Sequence, residues 1–239
     1  MNTDMISDCR KCTNHDTSIF RGLEPALAER LAAVASVQQY RHRQIICSEG
    51  SSVRAVHCVI EGAVKLSRAG ERGENQVLRL LGPGAVIGVR PIMANEDYAA
   101  RAEAAGDCCL CRVPRASFLE LMHDSADLCR NVTSWLAREL RISEDLLMVM
   151  TQRTVKRRIA DLLLRLHGEI IDEEDWLPLP HIRLTRREMA QMVGTTPETF
   201  SRVLADFAKR GLIALTRRDL TIVSPSRLHA LADPKHPRT

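Results

Sequence analysis

Residues 184–223 read LTRREMAQMVGTTPETFSRVLADFAKRGLIALTRRDLTIV and carry the densest set of local signals in the chain. Thr185-Arg186-Arg187-Glu188 is a capping box, in which a Thr at the helix start and a Glu three residues on satisfy each other's orphan backbone donors. The helix it opens runs through Met189, Ala190, Met192 and Val193, and Gly194 ends it, as a glycine just past a C-terminus does. Thr195-Thr196-Pro197 starts a second helix, with a Thr cap and a proline at the first helical position, where no amide hydrogen bond is lost. Phe200, Val203, Leu204 and Phe207 give that helix a buried stripe. Two helices across a short glycine-containing turn predict a helix-turn-helix. Beyond Gly211, residues 212–215 and 220–223 read as the strands of a hairpin with a basic tip, Thr216-Arg217-Arg218-Asp219.

The opposite face of the second helix is polar. Glu198, Ser201 and Arg202 stand at i, i+3 and i+4, so they project together near its N-terminal end. That end of a recognition helix enters the DNA major groove. The residue types suit base reading: Arg offers a bidentate fork to guanine O6 and N7, Glu accepts from cytosine N4, and Ser contacts either base type. A carboxylate facing a polyanion is costly unless it does such a job. Glu198 also suits the positive helix end and is close enough to orient Arg202. A solvated Glu/Arg pair is the plain alternative. Thr185, Thr196 and Thr199 at the helix starts, with Arg217 and Arg218 at the hairpin tip as phosphate contacts, complete the candidate DNA-binding set. Charge agrees with it. Residues 176–239 hold 11 Lys+Arg against 5 Asp+Glu, whereas residues 1–153 hold 19 of each. A basic end beside a neutral body is the footprint of a nucleic-acid-binding domain, and double-stranded DNA is the expected partner.

Upstream, residues 1–18 are polar and aperiodic and read as a flexible arm carrying Cys9 and Cys12. Leu23, Leu27, Leu31 and Val34 recur at helical spacing and predict a helix over 23–37. Short apolar runs follow at 44–47, 56–60, 63–67, 76–81, 85–89 and 108–113. Turn residues such as Glu49-Gly50, Glu61-Gly62 and Gly82-Pro83-Gly84 separate them, which predicts a β-sandwich or barrel. A short helix is expected over 117–122 and one long helix over 125–150. In the long helix Leu128, Val132, Trp135, Ile142, Leu146 and Val149 fall at spacings of three, four and seven, with Leu136, Leu140, Leu147 and Met150 beside them. That stripe is wider than one neighbouring sheet needs, so a coiled-coil seam between two copies is expected. An amphipathic helix packed only on its own domain is the alternative. Residues 151–155 read as a hinge, and Ile159, Leu162, Leu163 and Leu166 mark a helix over 155–171.

Residues 184–223 closely resemble the winged helix of the CRP/FNR regulators. The upstream order of glycine-marked strands, long helix and hinge is similar to theirs too, over about residues 20–228. The resemblance implies an α+β chain with four parts. Residues 1–20 form a flexible Cys-containing arm, and 21–123 a β-roll sensor domain of cupin-like, cyclic-nucleotide-binding-like form. Residues 124–153 form the dimerisation helix and hinge, and 154–239 a winged helix-turn-helix. It implies a homodimer on a palindromic site, with RNA polymerase as a further partner. Glu198, Ser201 and Arg202 match the Glu-x-x-Ser-Arg reading set of the FNR type, which implies a TTGA half-site inverted across the dyad.

The resemblance says less about the signal. The cyclic-nucleotide branch has an acidic residue after a roll glycine and then an Arg-Ser pair for the phosphate. Here Gly88 is followed by Val89, residues 97–100 read Asp-Tyr-Ala-Ala, Arg101 is the one nearby cation and Arg90 fills no matching role. A cyclic nucleotide is therefore not the expected effector. FNR-type oxygen sensors hold a 4Fe–4S cluster with N-terminal cysteines and one roll cysteine before an Ile/Val-Pro step. Cys9, Cys12 and Cys111, the last in Cys111-Arg112-Val113-Pro114, resemble three of those ligands and imply an oxygen, redox or nitric oxide signal. Ser18 stands where a further cysteine is expected, and His15, Asp16, Cys47 and Cys108 are candidate substitutes, since clusters accept other ligands. Cys58, Cys109 and Cys129 read as core residues. Thiol oxidation, haem on His42, His57 or His123, and another or no effector stay open.

Composition narrows the remaining classes. Aromatic residues make up 3% of the chain, so its core must be built from Leu, Val, Ile and Ala. With no charged-then-apolar leader and no run of about 18 apolar residues, the chain is expected to be soluble and cytoplasmic, with no membrane partner. Its eight cysteines are then expected to be reduced rather than a disulfide scaffold. An enzyme is not expected. The remote alternative, a CxxC thiol oxidoreductase, would need Cys9 and Cys12 at a helix start after a strand. A nucleophile–base pair, a phosphate-cradling glycine loop and the His/Glu metal motif of cupin enzymes are also missing.

Overall fold

The computed structural model describes residues 18–70, 74–168, 182–216 and 220–232. The chain divides into two compact units, Met1–Arg141 with Pro180–Arg183, and Ile142–Leu179 with Leu184–Thr239.

The first unit opens on helix α1 (Pro25–Val34), which has its proline in the first turn. The helix expected to reach residue 37 stops at Val34. Ala35 turns extended, and Val37 enters a strand opposite Cys111. Eight strands follow: β1 (Ser36–Tyr40), β2 (Ile45–Cys47), β3 (Ala55–Glu61), β4 (Val64–Ala69), β5 (Asn75–Leu81), β6 (Val86–Ile87), β7 (Arg101–Ala104) and β8 (Cys108–Pro114). They form two antiparallel four-stranded sheets, β1-β8-β3-β6 and β2-β7-β4-β5. The run expected over 85–89 is strand only at β6, because Val89 begins helix α2 (Val89–Ala94). Gly62 permits the tight β3–β4 turn: its φ is +81°, and a Cβ there would lie 2.5 Å from the Asp107 carbonyl oxygen. Helix α3 (Arg115–Asp124) packs on α1 and on β3 and β8. Phe118 of α3 meets Phe20 edge-on at 6.3 Å. One core joins both sheets and these helices.

Helix α4 (Ala126–Gln152) starts in that core. Leu128 and Val132, 0% and 2% exposed, are part of it, and Trp135 and Leu136 pack partly against it. Arg79 of β5 donates to Glu139 at 2.6 Å. Past that point several apolar side chains of the helix are exposed: Leu140 and Leu147 are 62% and 64% exposed, Met148 and Leu146 are exposed, and Ile142 and Val149 are half-buried. Of the residues expected in the seam, Leu128 and Val132 are buried within their own domain, where the sheet unit takes a lid of apolar side chains, and Leu146 is exposed. Leu140 and Leu147, seven residues apart, form an exposed row, with Leu136 in line and partly covered.

The second unit contains α5 (Val155–Leu166), α6 (Arg186–Met192), α7 (Pro197–Lys209), the hairpin β9 (Ile213–Leu215) and β10 (Leu220–Ile222), and α8 (Pro225–Ala232). Helix α5, expected to run to residue 171, ends at Leu166 before Gly168, whose φ is +71°. Ile159, Leu163, Phe200, Leu204, Phe207, Leu212 and Leu228 build its core. Among the described residues no helix is long and apolar enough to cross a membrane.

Candidate nucleic-acid interface

Local chemistry sets the two helices that carry the candidate site. At α6 the capping box is complete: the Glu188 amide donates to Thr185 Oγ1 at 3.2 Å, and the Thr185 amide to Glu188 Oε2 at 2.7 Å. Gly194, at φ +61°, lets the chain leave α6, and the Thr195 amide returns to the Ala190 carbonyl at 3.0 Å. Thr196 then caps α7 by accepting from the Thr199 amide at 3.2 Å. Phe200, Val203, Leu204 and Phe207 are buried, which fixes the rotation of α7 about its axis. Lys156 of α5 donates to Asp206 at 3.0 Å, and this hydrogen bond holds the Asp206 carboxyl below its ordinary range.

The outer face of α7 is thereby determined. Glu198 and Arg202 are exposed, and Thr199 and Ser201 are half-buried on the same side. The hydrogen bond that orients Arg202 runs from its Nη2 to Thr199 Oγ1 at 3.4 Å, rather than to Glu198 as the sequence suggested. Thr196 Oγ1 lies 3.3 Å from Thr199 Oγ1, so Thr196, Thr199 and Arg202 form a polar row. Thr185 is exposed at the start of α6. Arg217 and Arg218 lie outside the described residues. Sequence reading missed Arg158, whose guanidinium donates to the Val193 and Met150 carbonyls at 2.8 and 2.7 Å. Backbone acceptors have no sequence signature, so no signal pointed to it.

The cysteines separate by strand face. Cys108 and Cys111 are three residues apart on β8 and therefore point to opposite faces. Cys108 shares its face with Tyr40, opposite it on β1, and with Arg112 and His57, which are paired across β8 and β3. This face looks toward the second sheet and Cys47. Burial pushes the Cys47 thiol up to about 11 and the Cys108 thiol up to about 12. Tyr98 donates to the Ala55 carbonyl at 3.2 Å, and burial raises its pKa. Cys111 lies on the other face, 2% exposed, directly across from Cys58. Cys58 is buried, and Cys109 and Cys129 are half-buried. Cys9, Cys12, His15 and Asp16 lie outside the described residues. Among the described residues no group of three or more His, Cys, Asp or Glu side chains forms a metal site. Cys47 and Cys108 are both buried, and Cys108 points to the opposite face of β8 from Cys111. The haem candidates His42, His57 and His123 lie in the β1–β2 turn, between the sheets and near the end of α3, with no pairing among them.

Residues 37–125 match the cyclic nucleotide-binding domain family, and residues 157–231 match the Crp-like helix-turn-helix domain family. The chain belongs to the CRP/FNR family. It is a DNA-binding transcription regulator of that type. It is similar to the nitrogen fixation regulation protein FixK of Bradyrhizobium diazoefficiens, with 22% identity over 94% of this chain and 93% of that one. It is similar to the CRP-like cAMP-activated global transcriptional regulator of Mycobacterium tuberculosis, with 27% identity over 88% and 94%. The solved structure of FixK2 from Bradyrhizobium japonicum superposes with a TM-score of 0.68 at 26% identity, over 84% of this chain and 98% of that one. The roll glycine Gly88, at φ +99°, stands at the start of helix α2. Val89 is fully buried, Arg90 pairs with Glu96 at 3.0 Å, and Arg101 stands 4.0 Å from Glu103. Both nearby arginines thus have carboxylate neighbours.

Proposed function

We propose that this regulator reads DNA as a homodimer. Each copy sets the N-terminal end of α7 into the major groove at one half of a TTGA-type inverted repeat. The observation that carries the reading is the outer face of α7. It presents Arg202, Ser201 and Glu198 together while four large apolar side chains lock the helix from behind. Arg202 supplies the fork for guanine, Glu198 an acceptor for cytosine N4, and Ser201 a short donor or acceptor. Thr185, Thr196, Thr199, Arg217 and Arg218 contact phosphates, which fixes register without reading sequence. The exposed stretch of α4 around Leu140 and Leu147 supplies the dimer seam. RNA polymerase is the partner to which a DNA-bound regulator of this type would couple.

The signal we propose is oxygen, redox change or nitric oxide, through Cys9, Cys12 and Cys111, with His15, Asp16, Cys47 and Cys108 as the candidates for a fourth ligand. The alternative, a different effector or none, is supported by the burial of Cys111. The experiment for the DNA-reading proposal is fluorescence anisotropy on a duplex carrying the inverted repeat. R202A should weaken binding by about 1–3 kcal/mol and relax preference at the guanine-bearing position. Equal affinity of the wild-type chain for the repeat and for a scrambled duplex would overturn it.

A further inference from the structure

We infer that Arg158 is a positioning residue that ties the DNA-reading helix pair to the end of the long helix; this rests on the DNA-reading proposal above. Arg158 stands in the first turns of α5, half-buried. Its Nε donates to the Val193 carbonyl at 2.8 Å, its Nη1 to the carbonyls of Met150 at 2.7 Å and Arg153 at 3.0 Å, and its Nη2 to that of Gly194 at 3.5 Å. Met150 belongs to the last turn of α4 and Arg153 follows that helix directly; Val193 is the C-cap of α6, and Gly194 is the helix-turn-helix glycine. Carbonyls at helix C-termini lack intrahelical donors and carry partial negative charge. One cation therefore closes two helix ends at once.

The neighbouring contacts make the joint specific. The Asp161 carboxylate, on the same helix, is engaged by Arg165 at 2.9 Å and Arg153 at 3.5 Å, so the Arg158 contacts are all to backbone. Met150 Sδ lies 3.4 Å from where a Cβ on Gly194 would sit, so a side chain from α4 also packs beneath the turn. The turn itself is stiff, with amides of Gly194 and Thr195 bonded back to Gln191 and Ala190 at 3.0 Å each. Thr196, two residues past Gly194, caps α7. A displacement of Met150 thus reaches the start of the recognition helix through a few rigid links. Lysine keeps the charge but has no planar fork with which to span four carbonyls. In a dimer held along α4, the spacing of the two α7 helices is set through this joint.

The test compares the full-length wild type, R158K and R158Q. Hydrogen–deuterium exchange without DNA would follow residues 148–153 and 191–196. In R158Q both segments should exchange about tenfold faster together, because they share one cation. Anisotropy would compare the inverted repeat with the same repeat lengthened by one base pair between its halves. R158Q should bind the repeat about tenfold more weakly and lose most of the wild type's discrimination against the longer spacer, with R158K between them. A purely structural role would lower the thermal midpoint and leave spacer preference intact. The inference is overturned by faster exchange in one segment or neither, or by paired exchange with unchanged spacer preference. If R158Q does not fold, R158K carries the same comparison. If the wild type ignores the repeat, the DNA-reading proposal falls, and the exchange pattern alone decides whether the joint exists.

Discussion

His57 illustrates how far a single residue's meaning depends on what folding puts across from it. The residue is 6% exposed between two sheets, Nδ1 has no hydrogen-bond partner among the described residues, and Arg112 is its cross-strand neighbour. Burial, with the Arg112 charge adding to it, lowers its pKa from 6.5 to about 4. The unfolded chain then binds a proton that the folded chain refuses between those values. Stability from this group is complete above pH 6.5 and falls as pH drops toward 4, by up to about 3 kcal/mol. H57F should flatten that part of the pH profile when urea midpoints are compared at pH 7, 5.5 and 4.5. An unchanged slope would assign the acid sensitivity to other groups. In the sequence His57 was only one of three haem candidates, since nothing in its neighbours announces Arg112. That Glu198, Ser201 and Arg202 share one face of α7 was legible because helical periodicity is local. Arg158 was not, because all of its partners are backbone oxygens.

The long helix shows the same division among elements. Its extent, Ala126–Gln152, was readable to within two residues from apolar periodicity. The identity of what each apolar residue faces was not, since periodicity reports a stripe and not its partner. The core takes Leu128 and Val132, and Leu140 and Leu147 stay open. L147E should therefore convert a dimer into monomers in sedimentation velocity while leaving monomer unfolding nearly unchanged. L128A should do the reverse, lowering stability by about 2–5 kcal/mol with association intact. A dimer that survives L147E would locate the seam elsewhere. Strands β1 and β7 were missed for a related reason. Ser-Val-Gln-Gln-Tyr and Arg-Ala-Glu-Ala are short and carry few β-branched residues, and only their neighbours in the sheet make them strands.

For the molecule as a whole, the order of sheets, long helix and winged helix-turn-helix was legible because glycine-marked turns, caps and apolar periods repeat along the chain. The signal was not, because ligands gather by topology: Cys108 and Cys111 are neighbours in sequence and face opposite ways. The cluster proposal expects protein purified without air to be brown, with about four iron and four acid-labile sulfide per chain, bleached by oxygen. Iron-free protein that also resists reconstitution would remove the cluster and leave DNA reading untouched. The bare leucines of α4 have a quantitative corollary in the cell. On the dimer proposal, while most chains are single, the number of pairs grows as the square of the number of chains, so doubling synthesis yields about four times as many paired molecules. A regulator assembled along such a face responds to its own gene dosage, and modest changes in expression or turnover act on its target promoters as a second input beside any chemical signal.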